Sequence, residues 1–454
     1  MKTVESILAA LVFWGHLTAF PAADLAGVKV TLESASSTAF VQAQLLERFK
    51  LQISVAPEAE TSQQTIRVDL PQSGPQAWPA TEVDVRDASG KALLVRRSGI
   101  EWNELHFAVP AVRGDYVVQA HIEAPQTALP SERERALEDR STGLRVSLAK
   151  WSGGSKAALS IRFDDSHPTH LTKAIPILRE YGFRGTFMVN PGPSEPGSRR
   201  RSEFEARRAD WEAEARQGNH ELANHSAHHR GAKGDDDMEA EIGTAAQVIW
   251  DLTPGRSKLL ALNLGGGTHW ETTRTLRYYL DKFHQFDASQ NSTGMDDTYG
   301  NRVANFRRIL EQHIARGLWC RIHFHAIGDG LNSSEANFRG ALDVAKEHQQ
   351  ELWIAGMADI YKYQTERSAS KLTLLPSSAG DFSFRLACAT DPALYDHPLT
   401  LEILPPPSIN TNQLILRDEH KNSIPLRLER MAGVSVLRCK IAPRNAVYSI
   451  GTTP

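Results

Sequence analysis

The sequence predicts a central α/β domain with parallel strands, set between two all-β regions. Three observations lead there. From 24 to 149, short β-type runs are separated by turn residues. From 150 to 367, apolar strand-like runs alternate with amphipathic helical stretches. From 368 to 454 the short β-type runs return. Short strands at that spacing argue for sandwich-like all-β domains. Strand–helix alternation argues for parallel strands with helices outside them, in a barrel or an open sheet.

Residues 1–23 read as an export signal. Lys2 gives a positive start, Ile7 to Phe20 is largely apolar, and Ala22 and Ala23 supply small residues, although Glu5 and Gly15-His16 are atypical. The apolar run is shorter than the ~20 residues a membrane span needs, and no later segment approaches that length. The mature chain is therefore expected to be secreted, or periplasmic or otherwise in the cell envelope, with no stable membrane span.

In the first β-region the runs are Val28 to Leu32, Thr65 to Leu70, Ala92 to Arg96 and Tyr116 to Ile122, with a turn at Ser89-Gly90. The charged stretch Ser131 to Thr142 reads as a linker or surface helix. In the central region Ala157 to Phe163, Thr186 to Val189, Leu259 to Leu264, Phe283 to Ala288 and Trp319 to Phe324 read as strands. Leu171 to Tyr181, Phe204 to Gln217 and Met238 to Leu252 read as helices. The last region carries strand-like runs at Leu372 to Leu375, Phe382 to Leu386, Leu399 to Leu404, Gln413 to Arg417 and Val434 to Ile441, with Pro405-Pro406-Pro407 as a connector.

An apolar content of 41% over 454 residues supports real cores and argues against disorder. A net charge of -3 gives no nucleic-acid footprint, and the basic run Arg199-Arg200-Arg201 lies in a Pro/Gly/Ser-rich loop. The three cysteines do not form a disulfide scaffold. A bridge between Cys388 and Cys439 is open to an exported chain, whereas Cys320 reads as buried.

Three constellations carry chemistry. The strand Ala157 to Phe163 ends at Asp164-Asp165, and ligands of α/β folds bind at the carboxyl ends of strands. Adjacent carboxylates repel each other, so a cation or a shared proton must relieve them. In Gly218-Asn219-His220-Glu221-Leu222-Ala223-Asn224-His225-Ser226-Ala227-His228-His229, the pair His225 and His229 has the spacing that lets two imidazoles grip one ion. In Leu318 to Gly328 the alternation places Trp319, Arg321, His323 and His325 on one strand face, and Cys320, Ile322 and Phe324 on the other. Each of these has a bland reading as turn, core or surface. Together they supply one Asp and two His as metal ligands, a second Asp as general base and a His as general acid.

The order strand-Asp-Asp, then Gly-x-His-Glu-x-x-Asn-His-Ser-x-x-His, then a late strand ending in His325-Ala326-Ile327 resembles the NodB-homology polysaccharide deacetylases, carbohydrate esterase family 4. Ile177 to Phe187 and Leu352 to Tyr363 are similar to further stretches of that family, so the resemblance spans the region 150–367. It implies a distorted (β/α) barrel of the NodB type, flanked by the two β-domains 24–149 and 368–454. It also implies a divalent metal, usually zinc, held by Asp165, His225 and His229. Asp164 would then take a proton from the metal-activated water, and His325 would protonate the departing sugar amine or alkoxide. The implied partner is an acetylated polysaccharide or oligosaccharide, carrying N-acetyl or O-acetyl groups.

Two departures stand out. Where the family reads Arg-x-Pro-x-Gly or Tyr-Pro-x-Gly, this chain has Ala261-Leu262-Asn263-Leu264-Gly265-Gly266-Gly267, with neither the Pro nor an Arg. Ser166 stands where Gly is common. The absent Arg orients the base in the family, and Arg162 and Arg321 are the two candidates to replace it, each sharing a strand face with a proposed catalytic residue. The rival reading is an inactive, metal-containing homologue that binds glycan. A non-acetyl C–N hydrolase and a mononuclear iron oxygenase are more distant alternatives.

Overall fold

The computed structural model describes residues 25–452, apart from 34–39, 57–62, 100–101, 111, 122–128, 141, 195–201, 377–381 and 432–433. The export-signal reading of 1–23 lies outside the described residues. No helix among the described residues is long and apolar enough to cross a membrane.

The centre of the molecule is an eight-stranded, all-parallel sheet curved into an incompletely closed barrel. Its strands are β1 (Ala157–Phe163), β2 (Thr186–Val189), β3 (Glu221–Asn224), β4 (Leu260–Leu262), β5 (Gln285–Asp287), β6 (Ser292–Gly294), β7 (Trp319–Phe324) and β8 (Leu352–Ile354). They run in the order β5-β4-β3-β2-β1-β7-β6. One side of β1 is shared: β8 pairs with Ala157–Leu159, and β2 with Arg162 and Phe163. β5 and β6 do not pair with each other, which leaves a seam.

β1 is buried along its whole length, as expected of a parallel strand covered on both faces. Its period-two alternation sorts the side chains. Ala157, Leu159, Ile161 and Phe163 join the outer core with Cys320, Ile322 and Phe324 of β7 and with helical residues such as Leu178, Phe306 and Leu342. Ala158 points the other way, into an interior cluster with Met188, Ala223, Ala261, Phe286 and Trp319. The face alternation expected for β7 is thereby met.

The helices differ in detail from their expected bounds. The first begins as a wide π-type turn at His170–Ala174 before Ile175–Tyr181 continues as α-helix. The charged stretch after it splits at Arg207 into Glu203–Ala206 and Arg208–Gln217. The next helix starts earlier than its apolar pattern, at Asp235, because Asp235, Asp236 and Asp237 complement the positive end of its dipole.

In the amino-terminal β-region two sheets share one core. Lys29–Leu32, Gln64–Asp69, Glu104–Val109 and Val95–Ser98 form four antiparallel strands of a six-stranded sheet. Phe40–Glu47, Lys50–Ala56, Gly114–Ala120 and Val83–Asp87 form the other sheet. Leu51, Ile53, Ile66, Val68, Phe107 and Val118 meet between them. The last two strands of the six, Trp270–Thr272 and Ala232–Lys233, come from the central region.

Two strands within the stretch assigned to the amino-terminal side, neither of them read as a strand from the sequence, join another sheet. Ala136–Glu138, within the stretch read as a linker or surface helix, and Arg145–Leu148 extend the sheet of Leu399–Leu404, Val434–Ile441 and Arg427–Met431. Val146 and Leu148 pack there against Leu401 and Ile403. A short alternating run states that it is a strand, but which sheet it joins is decided by long-range packing. Cys388 and Cys439 are both free and buried, in different sheets, so the bridge between them is not formed.

Candidate active site

The three constellations meet at the carboxyl ends of the parallel strands. β1 ends at Asp164, whose backbone N–H donates to the Phe324 carbonyl of β7 at 3.0 Å. The chain then turns through left-handed conformations at Asp165 (φ 78°) and Ser166 (φ 52°). Such backbone is unfavourable for non-glycine residues and is kept only where the surroundings enforce it. Here the Ser166 hydroxyl accepts the Asn190 N–H at 2.7 Å, tying the turn to the end of β2.

Asp165, His225 and His229 bring one donor atom each to within 4.8 Å of one another. Asp165 Oδ1 lies 3.0 Å from His225 Nε2 and 3.4 Å from His229 Nε2. His225 is buried, and its Nδ1 sits 2.6 Å from the Asn263 carbonyl oxygen. In a neutral ring Nδ1–H donates to that carbonyl, so the Nε2 lone pair faces a carboxylate oxygen. Two acceptors at 3.0 Å need a proton or a cation between them, and a carbonyl-oriented imidazole is the usual arrangement of a metal-ligating histidine. Burial, and next the adjacent His225, lower the His229 pKa, which favours the neutral, ligating form. Burial works to raise the Asp165 pKa, but His167, His225 and His229 outweigh it and hold the carboxylate ionised. The donor set fits a divalent ion with positions left open, as in catalytic sites.

Asp164 is buried beside this group. Arg162 Nη2 donates to Asp164 Oδ2 at 2.9 Å, and Asn263 Nδ2 donates to the same oxygen at 3.2 Å. Arg162 Nε lies 2.9 Å from Oδ1 without making a hydrogen bond, and Oδ1 has no hydrogen-bonding partner among the described residues. Burial opposes ionisation of Asp164, yet Arg162 and the nearby imidazoles outweigh it and keep its pKa below the ordinary carboxylate value. Arg321 does not reach this carboxylate. It donates to the Gln290 carbonyl at 2.8 Å, and its guanidinium carbon lies 3.8 Å from the centre of the Trp319 ring.

His325 follows β7. Its Nδ1 lies 2.5 Å from Asp296 Oδ2, its backbone N–H donates to Asp296 Oδ1 at 3.1 Å, and its Nε2 faces Asp165 Oδ2 at 3.9 Å. Asp296 is buried, and its hydrogen bond raises the His325 pKa despite the burial of the ring. Nothing in the sequence marked Asp296, because its role exists only through a contact between the end of β6 and the end of β7. His220 and His228 of the second constellation stand aside. Gly185 N–H donates to His220 Nδ1 at 3.1 Å beneath the sheet, and His228 Nδ1 lies 2.6 Å from Glu241. Trp270 is buried in the core, whereas Tyr278 and Tyr299 are 39% and 50% exposed.

The parallel α/β barrel thus sets one carboxylate and two imidazoles together at its carboxyl rim. Residues 152–280 match the polysaccharide deacetylase family, and this part of the chain belongs to it, with the NodB-type order of motifs described above. That segment includes Asp164, Asp165, His225, His229 and Asn263, and ends before Asp296 and His325. No curated protein matches the chain in sequence. Among solved structures, the chain is similar to a carbohydrate esterase family 4 pseudoenzyme from Bacillus anthracis at 11% identity. That match covers 45% of this chain and 64% of the other, with a TM-score of 0.30. Peptidoglycan deacetylase PdaC from Bacillus subtilis matches at 14% identity over 47% and 94% of the two chains, TM-score 0.32. A family 4 acetyl xylan esterase from Clostridium thermocellum matches at 16% identity over 45% and 90%, TM-score 0.31.

Proposed function

We propose that the chain is a metal-dependent polysaccharide deacetylase that hydrolyses N- or O-acetyl groups of a glycan outside the cytoplasm. The observation that carries this reading is the convergence of Asp165, His225 and His229 with two further groups, Asp164 and His325, each poised by its own buried partner. Asp165, His225 and His229 would hold the ion, zinc in the first instance. When bound, it supplies Lewis-acid polarisation of the acetyl carbonyl and stabilises the charge that develops on its oxygen. Asp164, kept ionised by Arg162, accepts a proton from the attacking water. His325, whose pKa Asp296 raises, gives its Nε2 proton to the departing amine or alkoxide. Arg162 thus does from β1 what the missing third-motif arginine does elsewhere in the family.

The test is acetate release by the full chain from N-acetylglucosamine oligomers, peptidoglycan and acetylxylan, each with added zinc and with a chelator. Metal-dependent acetate from any of them supports the reading and names the substrate class. Protein that contains metal and releases no acetate from any would overturn it in favour of a glycan-binding homologue.

A further inference from the structure

We infer that the amino-terminal β-region positions the metal triad through Trp270, an inference that rests on the metal site proposed above. The six-stranded sheet of that region is completed by two short strands of the central region. Val95, Arg96 and Arg97 pair antiparallel with Thr272, Glu271 and Trp270, and Trp270–Glu271 pairs parallel with Ala232–Lys233. Each of these strands continues a segment of the active site. His225 and His229 run directly into Ala232, and Asn263 and Gly265 run directly into Trp270.

The path from sheet to ligands is short and made of buried contacts. Trp102, in a left-handed turn (φ 60°) of the amino-terminal region, lies against Trp270 with ring centroids 6.0 Å apart. Both rings belong to one buried cluster with Leu262 and Leu264. Trp270 Nε1 donates to Thr268 Oγ1 at 2.6 Å, and the Thr268 hydroxyl is shared between the Leu264 and Gly265 carbonyls at 3.1 Å. Gly265 (φ 71°) lies so close to His229 that a Cβ there would overlap its Nε2. Gly231 approaches the His269 carbonyl as tightly, and Ala232 N–H donates to that carbonyl at 3.1 Å. The loop that bears His225 and His229 and the loop 263–269 are therefore packed against each other and anchored in a sheet whose other strands are amino-terminal. Metal affinity depends on ligands held in place before the ion arrives, so the β-region acts as part of the metal site and not as a separable module.

The test uses the full chain and three variants, Trp102→Ala, the milder Trp102→Phe, and Thr268→Val, which keeps side-chain volume. Zinc affinity is read by competition with a chromophoric chelator, and ligand geometry by the visible spectrum of the cobalt-loaded protein. Leu416→Ala, in the carboxyl-terminal core, serves as a destabilising control remote from the site. The expected result is zinc binding weakened about tenfold in Trp102→Ala and Thr268→Val, with an altered cobalt spectrum. Leu416→Ala should stay within about twofold of wild type. Wild-type affinity and spectrum in all three variants would overturn the inference, as would an equal loss in Leu416→Ala. Should wild type and His225→Ala bind zinc alike, the metal site itself fails and the inference falls with it, a result distinguishable from the others by that variant alone.

Discussion

Arg162 and Asp164 stand two residues apart on the inner face of one strand, and the guanidinium of the first grips the carboxylate of the second, Nη2 to Oδ2 at 2.9 Å. The second guanidinium nitrogen, Nη1, donates to the Ala288 carbonyl at 2.9 Å, so the arginine is itself fixed across the barrel. Arg162→Met leaves a buried carboxylate without its counter-charge. The expected outcome is a fall in kcat of about 100-fold, with a lowered Tm, because breaking a buried pair costs about 3–5 kcal/mol. Arg162→Lys restores part of the rate, and Arg321→Met, remote from the carboxylate, stays near wild type. Steady-state kinetics of metal-loaded protein decides it, and wild-type turnover in Arg162→Met removes the arginine from the mechanism.

The two adjacent aspartates separate by what their variants lose. Asp165→Asn takes the shared carboxylate from His225 and His229, and bound zinc is expected to disappear along with activity. Asp164→Asn keeps the triad intact, so zinc content stays at one per chain while kcat drops about 100-fold or more. Metal analysis of the two purified variants beside their kinetics reads the difference. Loss of zinc in both would merge the roles assigned to them.

Asp296 holds His325 by two contacts, one to the ring and one to the backbone. Asp296→Asn offers an amide where the carboxylate accepted the Nδ1 proton, and the imidazole loses both its orientation and its counter-charge. A decrease in kcat of about 100-fold is expected, with little change in KM. An equal and opposite pattern, with KM raised and kcat intact, would mean that His325 binds substrate instead of donating a proton.

How much of this was legible in the sequence follows from the range of each interaction. The two faces of β7 could be read residue by residue, and so could the face that Arg162 shares with Asp164, because strand alternation is local. The grouping of Asp165 with His225 and His229 came from the motif resemblance: Asp165 and His225 follow strands on one rim, and His229 lies further along the loop after β3. Arg162 was singled out by sharing a face with Asp164, but only the structure separates it from Arg321, whose chain turns instead to Gln290 and Trp319. Asp296 and the anchoring of loop 263–269 in the amino-terminal sheet were hidden, because both depend on pairings between distant segments. The strands at 136–138 and 145–148 were missed for the same reason.

Tyr299 is half exposed beside the site, in the turn that follows Asp296. A Cβ at Gly294 would lie 2.7 Å from the Tyr299 ring and 3.3 Å from His323 Nε2, so this ring borders the rim. An exposed aromatic there offers a flat apolar face to a sugar ring. With stacking worth about 1 kcal/mol, Tyr299→Ala should raise KM for an acetylated oligosaccharide about fivefold. Hydrolysis of a small acetyl ester should be unaffected. Equal KM for both substrates in wild type and variant would take Tyr299 out of substrate binding.

Away from the site, Glu366 is buried where the helix Met357–Ser368 meets the carboxyl-terminal sheets. Its Oε1 accepts the His397 N–H at 2.9 Å, and Oε2 has no hydrogen-bonding partner among the described residues. Burial, with Asp396 adding to it, pushes its pKa up to about 8 from 4.5. The folded chain therefore binds this proton more tightly than the unfolded chain. The stability that it contributes is fully present below about pH 4.5 and is lost as pH rises through about 8. Glu366→Gln keeps the group neutral at every pH and abolishes that loss. Between about pH 6 and pH 9 the Tm of wild type should fall more steeply than that of the variant. Glu221, raised to about 7 by burial, slopes both curves alike, so their difference isolates Glu366, and parallel curves would show that its carboxyl is ionised in the folded state.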